Sequence, residues 1–285
     1  MTVLFIPSPP VGVWYLGPLP IRAYALAIIT GIVVAWWITG RRWRARGGTQ
    51  ETLDGILVWT VLAGIIGARI YHVATDPELY FGPGRTWYRM FFIWEGGLGI
   101  WGAVAVGAVV AWWRCRVAHV SFAALADVIA PGLLVAQAIG RIGNYFNQEL
   151  YGRPTTLPWG LEIDPAHRMS GYEQYATYHP TFLYELLWCL AGAALLILVE
   201  RLFHLGRGKL FASYIVWYTI GRFWVESLRI DTANTFGGLR LNEYTSLIVF
   251  AAGVVLLVVL LVTRPGPSPV PVERPSEKGP EPAQP

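Results

Sequence analysis

The chain has 285 residues, 54% hydrophobic and only 14% charged, with a formal net charge of +4. An ordinary soluble domain is about 25% charged, so this composition excludes one and points to an integral membrane protein. The basic excess lies beside apolar runs with no aromatic-basic RNA-binding signature, so no nucleic-acid partner is expected.

A hydrocarbon layer about 30 Å thick needs about 20 apolar helical residues. The opening IPSPPVGVWYLGPLP holds too many prolines for such a helix, and its Trp14 and Tyr15 suit the membrane interface. It lacks a basic n-region, and the first apolar run is of full span length, so no cleavable leader is expected. Seven stretches qualify as spans: 21–40, 53–73, 94–113, 121–140, 181–200, 210–228 and 243–263. The expected fold is therefore all-α, a seven-helix transmembrane domain over residues 1–264.

Compact basic runs follow alternate spans: Arg41, Arg42, Arg44 and Arg46, then Arg114 and Arg116, then Arg201, Arg207 and Lys209, then Arg264. That side is read as cytoplasmic, which puts the N-terminus outside and the C-terminus inside. Residues 265–285 are Pro-rich and polar and read as a disordered cytoplasmic tail. The connection over about 141–180 is long, polar and aromatic, and reads as a structured extracytoplasmic loop.

Polar side chains recur at the outer ends of these spans. Arg22 and Tyr24 open span one, and Arg69 and His72 close span two. Asp127 lies inside span four and reads as a polar contact on the cytoplasmic side. The densest cluster is the run from Gly140 to Arg153, GRIGNYFNQELYGR. Its Arg141 and Arg153 carry planar forks that suit phosphate, and Asn144 and Asn147 share a face if the segment is helical. Glu149 is placed to orient an arginine or accept a proton. The same residues could equally form an Arg–Glu network that pins a loop.

In HPTFLYE, residues 179–185, Pro180 suits a first helical turn and puts Glu185 about one turn into apolar territory. Glu185 is then either a structural partner for an arginine or a proton acceptor. In YTIGRFWVESLRID, residues 218–231, Arg222 and Glu226 are four apart on one helical face, with Arg229 and Asp231 beyond them. Ion pairs inside a membrane span are rare enough to suggest a site. Together these clusters predict an outward-facing polar pocket at headgroup depth, suited to an anionic phospholipid. HExxH, GxSxG and P-loop motifs are all absent, so those chemistries lack their parts. Cys115 and Cys189 form neither a CxxC pair nor a zinc pattern, and no metal or cofactor is expected.

The run from Gly140 to Arg153 resembles the signature of bacterial prolipoprotein diacylglyceryl transferases. IRAYALAI, GARIYHV, IWEGGLGIWG, HPTFLYE and GRFWVESLR-D resemble further family motifs in family order, over roughly residues 15–263. The resemblance implies transfer of a diacylglyceryl group from phosphatidylglycerol to the lipobox cysteine thiol of a prolipoprotein, in the bacterial cytoplasmic membrane with an extracytoplasmic site. Membrane lipids and prolipoproteins are then the partners. It assigns phosphatidylglycerol binding to Arg141, Asn144, Asn147, Gly152 and Tyr218. The catalytic set it implies is Arg141, Arg222, Glu226, Glu149, Glu185 and Tyr24. Where many members carry a histidine in an HGG context, this chain has Trp101, so a histidine base does not carry over. Glu149, Glu185 or Tyr24 is left to take the thiol proton. A non-catalytic phospholipid-binding scaffold and an anionic-solute transporter are the alternatives to this reading.

Overall fold

A computed structural model describes residues 5–82 and 84–268; most of the Pro-rich tail lies outside this range. A hairpin of β1 (Val13–Leu16) and β2 (Leu19–Arg22) leads into α1 (Ala23–Arg44) and α2 (Gln50–Thr75). The short α3 (Glu78–Phe81) and two 3-10 turns precede α4 (Ile100–Val117) and α5 (Phe122–Asn147). The loop after α5 holds β3 (Leu161–Glu162) and β4 (Thr177–Tyr178), and is followed by α6 (Thr181–Phe203) and α7 (Lys209–Leu228). A second hairpin, β5 (Thr235–Phe236) and β6 (Leu239–Arg240), opens α8 (Leu241–Thr263).

Six helices, α1, α2, α4, α5, α6 and α8, are long and apolar enough to cross a membrane. The expected span over 210–228 is a 20-residue helix, α7, but Lys209, Arg222 and Glu226 put it outside that apolar group. The third expected span begins too early. Its residues 94–99 are not α-helical, because Gly96 and Gly97 take φ of 92° and 74°, a left-handed backbone that ends helical continuity. The fourth span runs further than its apolar residues do. It continues to Asn147, so Arg141, Asn144 and Asn147 stand on the last turns of α5.

The chain forms two compact units. In the unit Gly40–Leu125, α2 packs on α4 across Gly67 and Gly102, where a Cβ on Gly67 would lie 2.5 Å from the Gly102 carbonyl. Arg69 organises the turns between these helices. It is buried, and its guanidinium donates to the carbonyls of Arg89, Met90, Phe92, Gly96 and Gly97. Most of those carbonyls lie in irregular backbone, and one fork of donors satisfies them together. His72 is a paired helix-end residue: Nδ1 lies 3.1 Å from the Asp76 carboxylate.

The other unit, residues up to Thr39 with Ala126–Ser268, contains the polar motifs. Its apolar core packs Ala130, Leu134 and Ala138 of α5 against Cys189, Ala193 and Leu196 of α6 and Leu210 of α7. Helices α6 and α7 are locked by a reciprocal pair of indoles. Trp188 Nε1 donates to the Trp217 carbonyl and Trp217 Nε1 to the Trp188 carbonyl, both at 3.0 Å, with the rings stacked at 4.3 Å. Each indole lies over a glycine of the facing helix, Trp217 over Gly192 and Trp188 over Gly221. Asp127 supplies the N-terminal cap of α7 from outside that helix: its carboxylate accepts from the Gly208 and Phe211 amides at 2.8 and 3.0 Å. The loop from 148 to 180 has its own small core of Tyr151, Leu161, Ile163 and Tyr178. Ile6 pairs beside Leu161, so the N-terminal segment adds an edge to the β3–β4 pair.

Candidate active site

The last turns of α5 start a polar chain. Arg141 Nη1 donates to Asn144 Oδ1 at 3.0 Å. Asn144 and Asn147 both donate from Nδ2 to Glu149 Oε1, at 2.9 and 3.0 Å. Their three-residue spacing puts both amides on one face, and Gln148 at φ 50° turns the backbone so that Glu149 folds back under them. Gln148 is buried and bonds to Ser8 and Asp164, which fixes that turn. Tyr24, on the first turn of α1, packs over Gly143; a Cβ there would come within 2.6 Å of its ring.

Glu185 is nearly fully buried on the second turn of α6. Its Oε1 lies 3.2 Å from Arg141 Nε, and its Oε2 lies 3.9 Å from Arg222 Nη1. One carboxylate thus brings together arginines from α5 and α7. Neither contact is a hydrogen bond. Arg141 Nε, Arg222 Nη1 and Glu185 Oε1 are buried with no hydrogen-bond partner among the described residues. Arg141, Asn144, Glu185 and Arg229 line one small cleft, closed by Leu150, Phe182 and Val225. Arg222 is not among its lining residues and reaches it through Glu185.

Below this cleft Glu226 is fully buried and meets four partners, three by hydrogen bond and Arg222 as an ion pair. Arg222 Nη2 and Arg229 Nη1 reach Oε2 at 2.7 and 3.1 Å. Arg240 Nε and Asn242 Nδ2 reach Oε1 at 2.8 and 3.0 Å. Asp231 binds Arg229 with both carboxylate oxygens at 2.7 Å and takes Arg240 Nη2 at 2.9 Å. Glu226, Arg229, Asp231 and Arg240 therefore form a closed ring of two carboxylates and two guanidiniums. Burial pushes the Asp231 carboxyl up, but hydrogen bonds and charge from Arg229 and Arg240 outweigh it and hold it below its ordinary value.

The expected Arg222–Glu226 pair is present at 2.7 Å, and Glu185 joins the expected arginines. Tyr218 lies within electrostatic reach of Arg141, Glu185 and Arg222, and its ring stacks on Tyr214. Gly152 does not line the cleft. A Cβ on it would lie 2.8 Å from His179 Cβ and 3.1 Å from the Leu228 carbonyl, so its service is close backbone approach. Arg153, expected as a phosphate fork, donates instead to the Ser227 carbonyl. Arg240, Asn242 and Gln148 were not expected at the site. Arg240 and Asn242 stand outside any motif and Gln148 inside the 140–153 run, and only the tertiary fold brings them to Glu226 and Asp164. Trp101 is the second residue of α4 and is about half exposed, at 48%. Among the described residues no group of three or more His, Cys, Asp or Glu is placed to hold a metal ion.

The profile of the family described as prolipoprotein diacylglyceryl transferase matches residues 11–259. The chain belongs to that family. Among its relatives, a phosphatidylglycerol–prolipoprotein diacylglyceryl transferase of Cutibacterium acnes is 60% identical over 257 residues, covering 90% of this chain and 87% of the relative. A second, from Streptomyces coelicolor, is 55% identical over 93% of this chain and 84% of its own length. A third, from Streptomyces griseus, is 52% identical over 93% and 81%. In this member of the prolipoprotein diacylglyceryl transferase family, the matched span contains the whole Arg141–Glu185–Arg222–Glu226 constellation.

Proposed function

We propose that this protein is a membrane transferase. It moves the diacylglyceryl group of phosphatidylglycerol to the lipobox cysteine thiol of a prolipoprotein, the first step of lipoprotein maturation. The products are a thioether and glycerol phosphate. The observation that carries this reading is the meeting of Arg141 and Arg222 on the single buried carboxylate of Glu185, with an Arg141 guanidinium N–H left without a hydrogen-bond partner among the described residues beside the small cleft that Arg141 lines. A phosphodiester supplies the oxygens that such donors fit.

The chemistry follows from the bonds. The cysteine sulfur attacks the glycerol carbon that bears the phosphate; the carbon–oxygen bond breaks, and its electron pair leaves with glycerol phosphate. Negative charge grows on the leaving oxygen, and fixed guanidinium groups stabilise it as it forms. Arg141 binds the phosphate and Arg222 assists. Glu185 and Glu226 are positioning residues that hold the two arginines, and Asn144 and Asn147 hold Glu149. A thiol of ordinary pKa about 8.5 must lose its proton to attack well. Geometry favours Glu149 for that proton over Glu185 and Tyr24. Both asparagine amides fall on its Oε1, and among the described residues no hydrogen bond reaches Oε2, whereas Glu185 lies between two guanidiniums. Cys115 and Cys189 are both buried, so a single direct displacement is preferred to a covalent intermediate. Tyr218 is kept in the phosphatidylglycerol site, while Gly152 supports it by letting the backbone pack closely on His179 and Leu228.

In this reading α7 also spans the bilayer, with its charges turned to the bundle interior, and seven helices cross the bacterial cytoplasmic membrane. The N-terminus and the cleft face outward, and the C-terminus faces the cytoplasm. The test is a mass-shift assay with purified protein, phosphatidylglycerol and a lipobox peptide. The expected result is a diacylglyceryl adduct on the cysteine. No adduct, under conditions where an active relative makes one, would overturn the proposal.

A further inference from the structure

Arg240 stands at the end of β6, where the second hairpin meets α8. Its guanidinium donates from Nε to Glu226 Oε1, from Nη2 to Asp231 Oδ2, and from Nη1 to the Asp231 and Arg229 carbonyls. Its amide donates to Glu243 Oε2 at 2.7 Å, which anchors it to the first turn of α8. The side chain is 12% exposed and spends its donors on these partners; none of them lines the cleft except Arg229.

The ring has a consequence for Arg222. Glu226 has two oxygens and four partners. Arg240 and Asn242 occupy Oε1 and so turn Oε2 toward Arg222 and Arg229. Arg240 and Arg229 are balanced by Asp231 and Glu226. Arg222 is the extra cation on this ring, and its Nη1 points toward Glu185, 3.9 Å away. If Arg240 let go, Asn242 alone would hold Oε1, and Glu226 would turn more easily toward Arg222 and Arg229, so Arg222 would lose its fixed direction.

We propose that Arg240 is a positioning residue for diacylglyceryl transfer, acting through Glu226 to hold the Arg222 guanidinium at the cleft. This inference rests on the role given to Arg222 above. A support that fails to hold a charged group within a fraction of an ångström of its working position can cost about a hundredfold in rate.

The experiment is a double-mutant cycle on the full-length protein in phosphatidylglycerol liposomes with a lipobox peptide, reading kcat and KM. Arg240→Gln should lower kcat by about a hundredfold. In an Arg222→Lys background the same change should have little further effect, because its route runs through Arg222. Arg240→Lys, which keeps one charged donor, should recover part of the loss, and it carries the same cycle if the Gln variant does not fold. Turnover by the Arg240 variants within twofold of native, with Arg222→Lys impaired, would overturn the inference and leave the function standing. An Arg240 effect equally large in both backgrounds would also overturn it, since that is what a merely structural role gives. Native turnover in Arg222→Lys itself would instead remove the assigned role of Arg222.

Discussion

Replacing Glu226 by Gln changes one oxygen for an amide nitrogen and leaves the shape of the side chain nearly intact. The consequence is large because of what surrounds it. The carboxylate accepts Arg240 Nε and Asn242 Nδ2 on one oxygen and Arg229 Nη1 on the other, where the Arg222 guanidinium also forms an ion pair with it. Whichever way the amide is turned, its NH2 faces two donor groups, so two of the four contacts (three hydrogen bonds and the Arg222 ion pair) are lost. Hydrogen bonds to charged groups are worth about 1.5–3 kcal/mol each, and breaking a buried ion pair costs about 3–5 kcal/mol. Glu226 is fully buried, so solvent does not screen the loss on its side, but Arg222 is 21% exposed and can relax toward water. The lower end, about 3 kcal/mol, is therefore expected. At about 2–4 °C per kcal/mol this lowers the melting temperature by about 6–12 °C. Intrinsic fluorescence of the 14 tryptophans, followed on heating in detergent, reads the transition. A variant melting within about 2 °C of the native protein would refute the claim that Glu226 is the charged hub of this network.

Three further outcomes are expected. Gly192→Ala puts a Cβ 2.2 Å from Trp217 Nε1, so α6 and α7 must part or the indole must leave its carbonyl; a stability loss of about 1–3 kcal/mol should appear in the same melting assay. Asp127→Ala removes the cap on the α7 amides and should cost about 1–2 kcal/mol, while the KM for phosphatidylglycerol is unchanged. Burial, with the charge of Arg153 nearby, holds the His179 imidazole below its ordinary value of 6.5. The folded state therefore binds this proton less readily than the unfolded chain, so stability is full above pH 6.5 and falls as the pH drops below it; His179→Gln should flatten that part of a melting-temperature profile.

The parts of this fold that follow a local period were legible in the sequence. Apolar runs of span length marked the helices, and the four-residue spacing of Arg222 and Glu226 gave their pair directly. The third span was placed too early because IWEGGLGIWG is apolar enough to belong to it, while the backbone at Gly96 and Gly97 ends any helix there. The fourth was cut short for the opposite reason: Arg141, Asn144 and Asn147 read as loop residues by polarity, but they line one face of a helix and find partners on Glu185 and Glu149. The ion ring was half visible. Arg229 and Asp231 lie beside Glu226 in sequence, but Arg240 reaches it only after the hairpin has turned, and no spacing rule joins positions 226 and 240. The same holds for Asp127, whose two amide partners lie about eighty positions away, in the 208–211 segment.

The central claim is that Arg141 grips the phosphate while sulfur displaces it, and the rate of transfer by Arg141→Ala tests it most directly. With full-length protein in phosphatidylglycerol liposomes and a lipobox peptide, followed by the mass of the adduct, the rate should fall by about 10²-fold or more, as when one fixed donor to a developing oxyanion is removed. Adduct formed at the native rate by a folded Arg141→Ala protein would contradict the account.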